Sequence, residues 1–321
     1  MKKLLLSLAF VCSFAHAWEP TKNVTAYVGN APGSGPETVF RKLAEIVNKQ
    51  NPNFVYVIQN IPGADTVIAN NRFVDAPADG YTINLVSHMS SYVTNDVWEK
   101  DIKKYNYNNF TDVLTMGKSP LVLVASSYST IKTPQEFIKY ISTTNKPVSI
   151  AVGNGAHRVA FEYLMLKGRG NDLVKPIRFN GPAQAVLSVA QYDGKLGTEF
   201  GIMPIAIAKS LIDSGKVIPI GLTGTRKMEQ FPKVPLLNEV TPGINIYGAW
   251  SIQLPQHTDK EVVDWYQRSF SQAIRSNEYK EWADNQVIFI EDSELNPQGL
   301  KKSIEDLRTT FLPLVKNIKM N

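Results

Sequence analysis

Apolar residues recur along the chain with two spacings, the alternation of a half-buried strand and the i, i+3, i+4 stripe of a helix. Val24-Thr25-Ala26-Tyr27-Val28 predicts a strand. From Pro36 the residues Val39, Phe40, Leu43, Ile46 and Val47 fall at helical spacing, with the proline in the first turn and Glu37 near the positive end of the macrodipole. A strand over Phe54 to Ile58, a short helix over Thr66 to Phe73, a turn at Asp79-Gly80 and a strand over Thr82 to Val86 complete the first alternation.

The middle of the chain repeats it. Strands are predicted at Leu121 to Ala125, Val148 to Val152, Lys175 to Phe179 and Val217 to Leu222. Between them lie helices over Thr133 to Ile141, Ala156 to Lys167, Ala183 to Gln191 and Ile205 to Asp213. Such alternation implies parallel sheet covered by helices on both faces. After Pro242-Gly243 a strand around Trp250 to Leu254 is followed by two helical stripes, Val262, Tyr266, Phe270, Ala273 and then Leu300, Ile304, Leu307, Phe311. A helical C-terminus needs a sheet to pack on. The first domain is the expected one, so the chain should cross between two domains near residues 120 and 245.

The N-terminus changes the picture of where the chain works. Lys2 and Lys3, an apolar run from Leu4 to Ala15 and the ending Ala15-His16-Ala17 have the form of a cleavable secretory signal, residues 1–17. The run is shorter than the roughly 20 residues that a membrane span needs. Lipidation of Cys12 is disfavoured by the bulky Val11. Cleavage removes the only cysteine and leaves 32 basic against 29 acidic residues, net +3. An exported chain of this length without cysteine suits a periplasm, where its own core replaces covalent staples. The charge is spread out, with no basic-aromatic stripe, which argues against nucleic acid as a partner.

Four glycine-punctuated loops, each between a strand and a helix, concentrate the candidate chemistry. They are Ala31 to Glu37, Asn60 to Asp65, Gly153 to His157 and Asn180 to Gln184. Glycine lets the backbone approach a ligand, and the first N–H groups of the following helix form an anion site. Candidate contacts are Ser34, Gly35, Ala64 and Asp65 on one wall and Asn154, Gly155, His157 and Gln184 on the other, with Ser87 after the third strand. Gly33 and Gly35 lack the third glycine and the Lys-Ser or Lys-Thr pair of nucleotide loops. His88, His157 and His257 share no metal-ligand spacing, so neither a metal nor a cofactor is expected. His157 remains open between ligand contact, structural histidine and catalytic base. Asp65 reads either as an N-cap or as a carboxylate facing the cleft, compensated there by Arg178, Arg158 or Lys118.

The ordered set of segments resembles the substrate-binding receptors of tripartite tricarboxylate transporters, the Bug family. The matching stretches are Gly33-Ser34-Gly35-Pro36-Glu37 with Arg41, Asn60 to Ala64, Ala76 to Thr82, Gly153 to His157, Phe179 to Ala185, Gly215 to Arg226, and Pro232 to Leu236 with Glu239. The resemblance implies an α/β, type II-like periplasmic-binding-protein fold. Its domains would be 18–120 plus 245–321 and 121–244, joined by two hinge crossovers around a ligand cleft. It further implies a non-enzymatic, monomeric protein that binds a small carboxylate, through loop N–H groups, hydroxyls and water, and presents it to membrane permease subunits. Three places depart from the family pattern: Pro36-Glu37, Asp65-Thr66 and Leu196-Gly197 with Glu199. A secreted hydrolase with a serine activated by His157, or a sensory receptor with the same cleft, are the competing expectations.

Overall fold

The computed structural model describes residues 18–318, so residues 1–17, read from the sequence as a secretory signal, and Cys12 with them, lie outside the described residues. Strands β1 (Val24–Val28), β2 (Tyr56–Asn60) and β3 (Thr82–Ser87) form a parallel block with β1 in the middle. Strand β4 (Phe110–Ser126) is 17 residues long and changes partners midway. Strands β7 (Phe200–Pro204) and β8 (Val217–Leu222) pair with its second half, and β5 (Val148–Val152) and β6 (Val174–Arg178) continue the sheet beyond β7. Strand β9 (Tyr247–Pro255) joins β3 to the first half of β4, antiparallel to both. The sheet order is β2-β1-β3-β9-β4-β7-β5-β6, with β8 also on β4. The fold is α/β with a mixed sheet.

The change of partners on β4 falls at a proline. Pro120 is the last residue opposite β9, facing Tyr247, and Leu121 is the first opposite β7, facing Pro204. Proline has no N–H for a ladder, so the end of one pairing register is a natural place for it. Thr223 ties the junction together: its hydroxyl accepts the Leu121 N–H at 2.9 Å and donates to the Ile246 carbonyl, while its own N–H donates to the Leu121 carbonyl at 2.9 Å.

Helices cover both halves of the sheet. Helix α1 (Gly35–Gln50) packs with α7 (Lys260–Arg275) and α8 (Asn277–Asn285) over β1, β3 and β9, with Phe40 stacked on Phe270 at 5.7 Å between ring centroids. Helix α2 (Val67–Phe73) lies on the opposite face with Val86 and Tyr92. On the second half, α3 (Pro134–Thr143) and α4 (Gly155–Gly168) share one core with β5, while α5 (Pro182–Ala190) and α6 (Ile205–Asp213) bury the other face. The last helix, α9 (Pro297–Lys316), packs on both: Leu300 and Ile304 join the core of α2, whereas Phe311 and Val315 join that of α4. No helix among the described residues is long and apolar enough to cross a membrane.

Candidate functional site

The loop after β1 is held by one buried carboxylate. Glu37 sits in the first turn of α1 and accepts the Gly33 N–H at 3.0 Å, the Asn60 amide at 3.0 Å and the Arg41 Nε at 2.8 Å. Gly33 adopts a left-handed φ of 78°, which the missing Cβ makes inexpensive. The departure at Glu37 is therefore architectural. Ser34 is the N-cap of α1, is 5% exposed, and its Oγ has no hydrogen-bond partner. Gly35 lies against the ring of Trp250, where a Cβ would come within 2.2 Å.

The loop after β2 is strained. Ala64, Asp65 and Thr66 have φ of 43°, 47° and 83°, three successive non-glycine residues in the left-handed region. The N-cap of α2 is Thr66, so the Asp65 side chain does not cap that helix. Instead its Oδ2 accepts the Gly155 N–H at 3.0 Å and, at a longer 3.5 Å, the Thr94 hydroxyl. Its carbonyl accepts from the Asn95 amide at 2.8 Å. Burial pushes the Asp65 carboxyl above its ordinary value, and the nearby Arg178 guanidinium acts against that shift.

The opposing wall comes from the loops after β5 and β6. They are packed backbone to backbone, since a Cβ on Gly153 would come within 2.6 Å of the Pro182 nitrogen. His157 is 1% exposed, and its Nδ1 accepts the Gly153 N–H at 3.1 Å. Burial drives its pKa down to about 3, so the imidazole is neutral and structural. Asn154 caps α4 by accepting the His157 N–H at 3.3 Å. Gly181, Pro182 and Gln184 bring the N-terminus of α5 to the same space, with the first-turn N–H groups of Ala183 and Gln184 free of intrahelical partners.

These loops enclose a cavity of about 560 Å³ to which Ser34, Ala64, Asp65 and Gln184 contribute. Asn154 and Gly155 line an annex of about 30 Å³ together with Asp65, Arg158 and Arg178. Gly35, Ser87 and His157 stand behind the lining: Ser87 donates to Asn30 Oδ1 at 3.4 Å, and it is Asn30 that reaches the cavity. Lys118 is elsewhere, paired with Glu294. The segment around Leu196 and Gly197 is outside the lining as well, and Glu199 there accepts from Ser129 at 2.7 Å. Sequence reasoning passed over Asn30, Phe179, Asn180 and Trp98 as contacts, although Asn30 lies two residues after β1 and Asn180 opens a flagged loop. A larger depression of about 750 Å³ between α4 and the end of α9 has a mixed lining, with Arg158, Glu162 and Lys175 beside Met165, Leu166 and Leu314, and receives no helix N-terminus. Among the described residues no group of three His, Cys, Asp or Glu side chains is placed to hold a metal.

A mixed sheet whose strand-end loops and helix N-termini converge on one cleft is a fold this chain shares with solved periplasmic binding proteins. The chain belongs to the tripartite tricarboxylate transporter family receptors, whose family model matches residues 39–320. BugT of Bordetella pertussis is 23% identical over 261 residues, covering 80% of this chain and 78% of that protein. MatC of Rhodopseudomonas palustris, solved with bound malate, superposes with a TM-score of 0.82 at 19% identity over 92% of this chain and 100% of its own. A second protein from R. palustris, solved with adipate, gives a TM-score of 0.85 at 18% identity over 92% and 97%.

Proposed function

We propose that the protein is a periplasmic solute-binding receptor that captures a small carboxylate between its two walls and delivers it to membrane permease subunits of a tripartite tricarboxylate transporter. The observation that carries the reading is that Ser34, at the N-terminus of α1 and with a buried hydroxyl that has no partner, lines the same cavity as the N-terminus of α5. A buried hydroxyl without a partner is costly, and a ligand oxygen offsets that cost. Two helix N-termini favour an anion. Family membership, and the malate and adipate in the two solved relatives, support a carboxylate as the bound group.

The proposal includes two domains, 18–120 with 245–321 and 121–244, that close as a hinge; the change of partners on β4 at Pro120 supports that division. Binding rather than hydrolysis is favoured because His157 Nδ1 accepts from a backbone N–H and, among the described residues, the imidazole has no hydrogen bond to a serine hydroxyl. The test is calorimetric titration of the mature protein with a panel of organic acids, preceded by native mass spectrometry to identify a retained ligand. Ser34→Ala should keep its stability and lose about threefold to tenfold in affinity, the worth of one neutral hydrogen bond. A panel that gives no heat, with no retained mass, overturns the reading.

A further inference from the structure

We propose that Asp65 selects the ligand's second group, admitting an amino-substituted monocarboxylate and turning away a dicarboxylate. The inference rests on the reading of the cleft as a carboxylate site and names the class of carboxylate. Its basis is an occupied anion site. Helix α4 is 14 residues long, and the N–H of Gly155 at its start donates to Asp65 Oδ2 at 3.0 Å. The protein's own carboxylate thus sits where that helix would otherwise attract the second anionic end of a ligand.

The charges around the annex leave Asp65 in excess. Arg158 is paired with Glu162 at 2.6 Å, and Arg178 has Glu99 at 3.9 Å. Among the described residues no lysine or arginine lies within 4.0 Å of the Asp65 carboxylate. One negative charge therefore faces the cavity without an ion-pair partner. The Gly155 N–H and the Thr94 hydroxyl both act on Oδ2 and the Ser90 hydroxyl lies against the same carboxylate, which with about four acceptor positions keeps room for a donor from the ligand. An ammonium supplies both the donor and the missing charge.

Asp65 is also held in place. Its backbone is left-handed and its neighbours on both sides are too, and the Asn95 amide fixes its carbonyl at 2.8 Å. A Cβ on Gly29 would come within 2.8 Å of the Thr66 Cα, so the strained segment is pressed onto the end of β1. Such strain persists where the surroundings enforce it, and it aims the carboxylate. With the ligand carboxylate at Ser34, the cavity offers a hydroxyl and a helix N-terminus at one end and a carboxylate at the other.

The experiment titrates the mature protein with succinate, glutarate and adipate against β-alanine, 4-aminobutyrate, 5-aminopentanoate and alanine, by calorimetry and thermal shift. The wild type should prefer the amino acid of the best-binding length over its matched diacid by about tenfold or more. Asp65→Asn keeps the oxygen that accepts from Gly155, and asparagine tolerates the left-handed backbone. It should reverse or abolish the preference. Glu99→Gln leaves the strained loop untouched and frees Arg178, so it should raise diacid affinity severalfold even if Asp65→Asn folds poorly. A ranking that favours the diacid in the wild type, or that is the same in all three proteins, overturns the assignment of Asp65. If no acid of either series binds and Ser34→Ala melts like the wild type with every probe, the carboxylate reading itself fails and takes the proposal with it.

Discussion

His88 and His157 are both buried, and burial holds each imidazole near a pKa of about 3, with Lys118 adding to the effect at His88. In the unfolded chain a histidine takes its proton near pH 6.5, roughly. The contribution of each to stability is therefore complete above that value and is lost as pH falls from there toward about 3. Together they should steepen the loss by roughly 3 kcal/mol per pH unit in that window. Urea unfolding between roughly pH 4 and 6 checks this: His157→Asn should lower the slope by about half of that amount, and an unchanged slope would show that the imidazole titrates normally. The same residue shows where reading a sequence stops. Gly153 to His157 is recognisable as a strand-to-helix loop, but whether His157 points at a ligand or at the Gly153 N–H depends on its rotamer and its burial. Asp65 is the sharper case. Capping and cleft-facing geometries need the same residue at the same place in the chain, and the partner that decides between them, Gly155, is 90 residues away.

At the level of elements the periodic segments were legible and the polar ones were not. Helix α1 and strand β1 lie where their stripes predict. Strand β2 begins at Tyr56, two residues later than the apolar run, because Phe54 is buried as an anchor against Tyr56 and Trp265 before the ladder starts. Only Leu121 to Ala125 of β4 shows in the pattern. Its first half holds Asp112, Thr115, Lys118 and Ser119; Asp112 and Lys118 find partners distant in the chain, Gln253 and Glu294, whereas the Thr115 hydroxyl is buried without one. Strand β7, Phe200 to Pro204, was missed because Gly201 and Pro204 break the run, yet all five residues are buried. The packing of elements at the cleft makes its own prediction. Gly153→Ala places a methyl group against the backbone of Gly181 and Pro182, which cannot rotate away. It should cost about 1–3 kcal/mol as overpacking, visible as a lower urea midpoint, and should weaken ligand binding by parting the two loops. Wild-type stability in this variant would mean that the loops are free to separate.

Over the whole molecule, hinge closure needs a ligand that favours the closed state, since a ligand indifferent to the two states shifts nothing. The cleft meets that requirement on paper, with Ser34 and Asp65 on one wall and Gly155 and Gln184 on the other. Small-angle scattering should show a smaller radius with saturating ligand. A thermal shift should accompany it, set by linkage at about 2.7 kcal/mol for a hundredfold excess over Kd. An unchanged radius in the presence of a bound acid would remove the hinge from the proposal. Helix α9 bears on the amplitude, because a rigid helix with Leu300 and Ile304 in one core and Phe311 and Val315 in another ties the two halves at a second place besides β4 and β9.

The amino-acid sequence by itself determined the α/β class, the family and the four loops from which the cleft is built. Those depend on local periodicity, glycine and proline punctuation, and the order of short segments, all of which are written along the chain. The tertiary structure alone decided which residues of the loops line the cavity, that Glu37 and His157 accept hydrogen bonds from loop N–H groups, and that Asp65 occupies the start of α4. These outcomes turn on contacts between residues far apart in sequence, where one hydrogen bond at 3.0 Å and one steric approach select among side-chain directions that local propensity leaves equal.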